Sequence, residues 1–140
     1  MEQTTSGVFP QLFLNDIFDL PLKKKQDIQE NITNGIKRLG NFQRPNGGMS
    51  YWMGENNASD WGTSYSGHFM IEAEKQGYVL PLTFKSNWIK YQTQAAREWR
   101  PSYKTQNSDL AQAYRLYTLA LAGRPRLRRH ESLTRIYRNF

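Results

Sequence analysis

Helical segments of two kinds alternate along this chain, one kind that has to be buried and one that keeps a wet face. That alternation constrains the fold more than any other feature, because a helix apolar around most of its circumference needs neighbours on several sides. From Thr4 to Leu20, Phe9, Leu12, Phe13, Ile17 and Leu20 fall on one helical stripe, with Thr and Ser at the start and Pro10 in the opening turns. After Pro21, Ile28, Ile32, Ile36 and Leu39 recur at helical spacing among Lys, Gln, Glu and Asn, which predicts an amphipathic helix ending near Gly40. Residues 61–76 hold Trp61, Tyr65, Phe69, Met70, Ile71 and Ala73, so this helix is expected to be buried, with Ser59 or Asp60 as N-cap and Gly77 as a left-handed C-terminal cap. Residues 82–99 repeat the amphipathic kind through Phe84, Trp88, Ala95 and Trp99. A segment from a Ser108 or Asp109 cap to Gly123 reads as apolar almost all round, and Leu127, Leu133, Ile136 and Tyr137 mark a weaker sixth helix.

The run "NFQRPNGGMSYWMGENNASD" between the second and third helices is loop chemistry, and no β alternation is apparent anywhere. The helices that need burial begin near residues 5, 60 and 108, a recurrence of about 50 residues, which is a repeat of helical hairpins. Its physical solution is an inner layer of enclosed helices and an outer layer with one wet face. Curved into a ring, that is an α/α toroid. The fold class expected is therefore all-α, with about six helices in three hairpins forming one domain over residues 1–140.

Composition removes several function classes. The chain has no cysteine, which excludes disulfides, thiolate metal sites and thiol nucleophiles within it. It also lacks a phosphate-cradling glycine loop and a His-rich cluster, so no cofactor and no metal are expected. No apolar run reaches the roughly 18 residues of a membrane span, and no signal peptide pattern stands at the start. Of the formal charge of +7, residues 124–140 supply +5 through six arginines against Glu131, so basicity belongs to the C-terminal segment rather than to a face. A solvated basic segment is the simpler reading, and nucleic acid is disfavoured as a partner.

Three stretches carry a resemblance. The chain opens "MEQTTSGVFPQLFL"; "GGMSYW" at 47–52 and "SDWGTSYSGHFMIEAEKQGY" at 59–78 follow; "QAYRLYTLALAGRP" occupies 112–125. In this order they resemble the N-terminal half of the thioester-containing, complement-like domain of the bacterial alpha-2-macroglobulin family. The resemblance implies an α/α toroid. The family pattern C-x-E-Q would place Met1 at the variable position and match Glu2 and Gln3 to the Glu and Gln. In the family the cysteine sulfur and the glutamine side-chain carbonyl form an internal thioester, and cleavage of a bait region elsewhere collapses the protein around an attacking peptidase. Here the cysteine would stand one residue before Met1, so Glu2 and Gln3 are expected to be a thioester-motif remnant in a segment with a scaffold or docking role and no enzymatic activity. The resemblance further implies other domains of a parent protein and a target peptidase as partners, and an exported or periplasmic parent. The loop residues Gln43, Gly47, Gly48, Tyr51 and Trp52 are similar to the glutamine-tryptophan repeats that stitch hairpins in terpene cyclases, which implies a structural role with the aromatics clamping the turn.

Other candidates compete with that reading. His68 stands among apolar neighbours, where a hydrogen-bonded core histidine is the simpler account, and no catalytic role is assigned to it. Glu55, Asp60 and Glu72 flank aromatics, as in glycan-active toroids that use paired carboxylates, although Asp60 is accounted for as a helix cap. A stand-alone helical module using its basic segment on an acidic partner is a further alternative. Because three hairpins make only part of a ring, the inner helices at its two edges are expected to expose apolar surface and to drive self-association.

Overall fold

The computed structural model describes residues 1–101 and 108–123, and among them every regular element is helical. Helix α1 spans Glu2–Val8, a 3-10 turn spans Pro10–Phe13 and a short α2 spans Leu14–Ile17. The longer helices are α3 (Leu22–Gly40), α4 (Asp60–Lys75), α5 (Phe84–Glu98) and α6 (Ser108–Leu121). Helix α4 lies between α1 and α6, while α3 backs α1 and α5 backs α4 and α6. These are the two layers expected of an α/α toroid segment: α1, α4 and α6 inside, α3 and α5 outside. The sixth helix expected through Leu127 to Tyr137, and the basic segment that contains it, lie outside the described residues.

The outer helices follow their pattern. On α3, Ile28, Ile32, Ile36 and Leu39 are all buried, and Lys23 and Lys24 of its first turn are exposed. Helix α5 turns Phe84 and Trp88 inward, but the next position on the same stripe is Gln92, fully buried and donating from Nε2 to Ser64 Oγ of α4 at 3.0 Å. Trp88 itself donates from Nε1 to the Thr63 carbonyl at 2.8 Å. Each large side chain buried in this core, among them Phe69, Met70, Ile32 and Leu39, contributes about 1.5–3 kcal/mol.

The first helix differs from expectation. It begins at Glu2 rather than Thr4, and it does not run on to Leu20, because Pro10 has no N–H to continue the ladder and the chain tightens into a 3-10 turn. The Gln11 side chain mends the gap by donating to the Gly7 carbonyl at 2.8 Å, and Gln76 at the end of α4 donates to the Leu12 carbonyl at 2.9 Å. Of the expected stripe, Phe13 on the 3-10 turn and Ile17 beyond it are exposed rather than buried.

Helix α4 is capped by Ser59, whose side chain accepts from Gly62 N at 3.1 Å; Asp60 is the first helical residue and not the cap. At the other end Gly77 adopts φ +99°, with Tyr78 N bonding back to the Ala73 carbonyl and Gly77 N to that of Glu74, the pattern of a Schellman cap. Trp61, read as part of the buried face, is exposed and leans on Tyr114.

Helix α6 reverses its expected character. The side packed on α4 and α5 presents Gln112, Arg115 and Thr118, all buried, while Leu110 and Tyr117 face outward. Partners from other elements make this polar face an inner one. Gln112 Nε2 donates to the Ala96 carbonyl of α5 at 3.1 Å, Arg115 Nη1 donates to Gln112 Oε1 at 2.6 Å, and Arg115 Nη2 pairs with Asp60 Oδ1 of α4 at 2.9 Å.

Candidate functional site

The Glu2–Gln3 pair occupies the first turn of the first inner helix, with both side chains exposed. What holds that turn in place is Met1, which is buried with its methyl group against Gly62 of α4 and its carbonyl accepting from both the Thr5 amide and the Thr5 hydroxyl at 3.0 Å. The Met1 amine donates to the Tyr51 carbonyl at 3.3 Å. Burial lowers the pKa of that amine, Arg38 adds to the effect, and the Glu2 carboxylate opposes it. Glu2 also meets Tyr51 through its side chain: a hydrogen bond to the Glu2 carboxylate, reinforced by its charge, raises the pKa of the Tyr51 hydroxyl. The 47–52 loop and the start of α1 thus form one rim.

Gln43 ties this loop to α5, its Nε2 donating to the carbonyls of Gly47 and Phe84 at 3.1 Å each. Gly47 sits at φ +95°, and a Cβ there would lie 2.0 Å from the Asn87 carbonyl oxygen, so the backbone itself packs on α5. A Cβ on Gly48 would meet Ala58 and the Tyr91 ring. Isolated bridges of Gln43 with Met49 and of Ser50 with Ala58 close the loop, and both Met49 and Ser50 are fully buried. Tyr51 and Trp52, in contrast, point outward with their rings edge to face at 5.1 Å, while Tyr91 of α5 covers the glycines.

His68 lies midway along α4 on the face turned toward α1 and α6. Its ring meets Phe9 edge-on at 4.9 Å and lies 5.7 Å from the Tyr114 ring and 5.5 Å from that of Tyr117. Nδ1 shares a hydrogen bond with the Tyr114 hydroxyl at 2.9 Å, the donor being set by the tautomer. Alongside, Ser6 Oγ and the Tyr65 hydroxyl are 3.0 Å apart, linking α1 to α4. Burial pushes the Tyr114 pKa up to about 12, with the Tyr65 and Tyr117 phenols adding to the shift.

Burial also lowers the His68 pKa, against the pull of Glu72 and with the help of Lys75. Glu72 Oε1 stands 4.0 Å from Nε2, too far to hold a proton on the ring against desolvation. Since the folded value lies below the ordinary 6.5, the unfolded chain binds the proton more readily. His68 therefore supports the fold fully above pH 6.5 or so, and that support is lost as pH falls through the folded value. Urea unfolding at pH 7.5 and pH 5 should show the parent losing more stability than His68→Phe; equal losses would remove the assignment.

The three carboxylates considered for glycan chemistry each have a structural partner. Glu55 accepts from Trp52 N at 3.1 Å, Asp60 holds Arg115, and Glu72 lies beside His68 and 3.8 Å from Lys75. Among the described residues no cluster of His, Asp or Glu is arranged to hold a metal ion, and no helix is long and apolar enough to cross a membrane.

The partners of Glu2 and of His68 come from elements far away in the chain, so sequence reasoning found the two residues without their settings. The ion pair of the exposed Asp60 with the buried Arg115 was missed altogether; an arginine in an otherwise apolar helix was its only signal. Over 85 residues the chain is 38% identical to alpha-2-macroglobulin of Escherichia coli strain K12, an alignment that covers 58% of this chain and 5% of that protein. No family model matches the chain, and no solved structure does.

Proposed function

We propose that the chain is a scaffold segment of a thioester-type domain in a macroglobulin-like, peptidase-trapping protein, with Glu2 and Gln3 as the acyl side of the thioester motif. The observation that carries this reading is the position of the pair. Gln3 is exposed on the first turn of the first inner helix, on a rim built with Tyr51, in a two-layered helical chain similar to an alpha-2-macroglobulin over 85 residues.

The chemistry available to Gln3 is acyl transfer. A cysteine thiolate attacks the side-chain carbonyl, the amide nitrogen leaves as ammonia, and the resulting thioester can be opened by an amine nucleophile. These 140 residues contain no thiol, so the sulfur of such a thioester would have to come from outside them, and the segment itself contributes packing and docking surface. Under the same reading its partners are the other domains of a parent protein and a target peptidase, in an exported or periplasmic setting. Helix α4 spends its carboxylates and its histidine on neighbouring side chains, which favours a scaffold over an enzyme.

Intact-mass analysis after methylamine treatment should show no adduct on this chain and no stoichiometric inhibition should appear in a peptidase assay. Extending the chain with a cysteine directly before Met1 should produce methylamine uptake at Gln3 that a further Gln3→Ala substitution abolishes. Labelling of Gln3 in the cysteine-free chain, or none in the extended one, would count against the thioester reading.

A further inference from the structure

Two asparagines in this chain are followed by glycine, Asn34 and Asn46, and asparagine in that setting is chemically labile. With no Cβ on the second residue, its backbone nitrogen can reach the asparagine side-chain carbonyl carbon and close a five-membered ring. The fold treats the two pairs differently. Asn34 is exposed in the middle of α3, but the Gly35 amide is inside the helix ladder and Gly35 itself is buried against Val8. Asn46 is exposed in the loop between α3 and α4, just before the buried Gly47 and Gly48. The restraints on it are few and local. Gly47 N donates to the Arg44 carbonyl at 2.8 Å, which engages the nitrogen that would attack. Gly48 N donates to Asn46 Oδ1 at 3.0 Å, an Asx turn that points the side-chain oxygen at Gly48. Gln43 Nε2, donating to the Gly47 carbonyl at 3.1 Å, holds the glycine down beside α5.

We propose that Asn46 is a modification site, where the folded chain deamidates spontaneously at a rate set by opening of the turn at residues 44–48. Opening that turn releases the Gly47 nitrogen at the expense of a few hydrogen bonds. Releasing the Gly35 nitrogen requires melting α3, and with it the burial of Ile28, Ile32, Ile36 and Leu39. In the open turn the Gly47 nitrogen gives its proton to hydroxide and bonds to Asn46 Cγ. The Cγ–Nδ2 bond breaks, and the side-chain nitrogen takes a proton from water and leaves as ammonia. Water then opens the succinimide at either of its carbonyls, leaving aspartate or isoaspartate; overall a water is consumed and an ammonia released. Isoaspartate routes the backbone through Cβ and Cγ and so lengthens it within the turn. The 2.7 Å bond from Arg44 N to the Gly48 carbonyl then no longer closes in the same register. The modification is a one-way release of the loop, and it rests on that turn and not on the role of Glu2 and Gln3.

Peptide mapping of the full chain aged near neutral pH, with isoaspartate counted by enzymatic methylation, reads both asparagines in one sample. Guanidinium chloride supplies the rate of each site without a fold. Relative to its own rate in denaturant, Asn46 should be slowed at least tenfold in the folded chain, and Asn34 at least tenfold more than that. Gln43→Ala removes one restraint on the turn and should speed Asn46 severalfold while Asn34 stays as slow as before. General destabilisation would speed both, so Asn34 reports it within the same molecule, and the comparison of folded with denatured parent decides without any variant. Conversion of Asn34 in the folded chain as fast as Asn46 would overturn the proposal. So would an Asn46 rate that folding leaves unchanged, or an Asn46 still intact in the folded chain long after the denatured sample has converted.

Discussion

Gly67→Ala should lower the unfolding free energy by about 3 kcal/mol, although alanine is the better helix former. The indole of Trp88 lies directly on the Gly67 backbone: a Cβ there would stand 2.2 Å from both Cε2 and Nε1 and 2.4 Å from Cζ2. This ring cannot step aside. It is 1% exposed, rigid, and held by the 2.8 Å hydrogen bond from Nε1 to the Thr63 carbonyl one turn earlier in α4. Either the indole rotates, breaking that buried bond and opening a void, or α4 and α5 separate along their length. Overpacking costs about 1–3 kcal/mol and an unmade buried hydrogen bond about 1–3, against roughly 1 kcal/mol gained from helix propensity. Gly7 in α1 is the internal control, because nothing lies within 4 Å of the Cβ it would gain, so Gly7→Ala should be neutral or stabilising by up to about 1 kcal/mol. Urea midpoints of the two variants against the parent decide the matter. A Gly67→Ala protein as stable as the parent would mean that α5 does not approach α4 as closely as described.

Glycine 67 also shows where sequence reasoning stops. A pattern of apolar residues reveals that α3 buries Ile28, Ile32, Ile36 and Leu39, since a repeated stripe and its wet complement are both local signals. The ends of α4 were legible for the same reason, Gly77 supplying a positive φ that few other residues tolerate. Which helix presses on Gly67, and therefore why it must be glycine, depends on Trp88 twenty-one positions later. The break at Pro10 is a similar case: a proline in the opening turns is readable, but the repair by Gln11 and Gln76 that lets the chain bend there draws on another helix. For the candidate site, the Glu-Gln pair and its place before an apolar helix were legible as a motif. The rim it shares with Tyr51 was not, because the contact closes a separation of about fifty residues that no local periodicity encodes.

Helix α6 is where local pattern pointed the wrong way, and it yields the second large effect: Asp60→Ala should cost about 3 kcal/mol, far more than an exposed carboxylate usually commands. The Asp60 side chain is 62% exposed and that of Arg115 is 4% exposed, joined at 2.9 Å. A pair with both members in water is worth about 0–1 kcal/mol. Here the cation is enclosed between α4, α5 and α6, with Nη1 on Gln112 and Nε buried without a hydrogen-bond partner among the described residues. Removing the carboxylate strands a guanidinium that is already short of acceptors, a situation that costs about 3–5 kcal/mol when the site is dry. The lower end applies because water can enter where Asp60 stood. The opposite substitution removes the buried charge itself. Arg115→Met fills much of the same volume, leaves Asp60 solvated and strands only Gln112 Oε1, so about 1 kcal/mol is expected. The buried member is thus the more replaceable of the two, which reverses the ranking that exposure alone would give. Combining both substitutions should bring the protein back near the stability of Arg115→Met, since alanine at position 60 then has no cation to strand. Thermal or urea unfolding of the three variants tests this; if Asp60→Ala proves no worse than Arg115→Met, the guanidinium does not depend on that carboxylate, and α6 is held to α4 by its flanking aromatics instead.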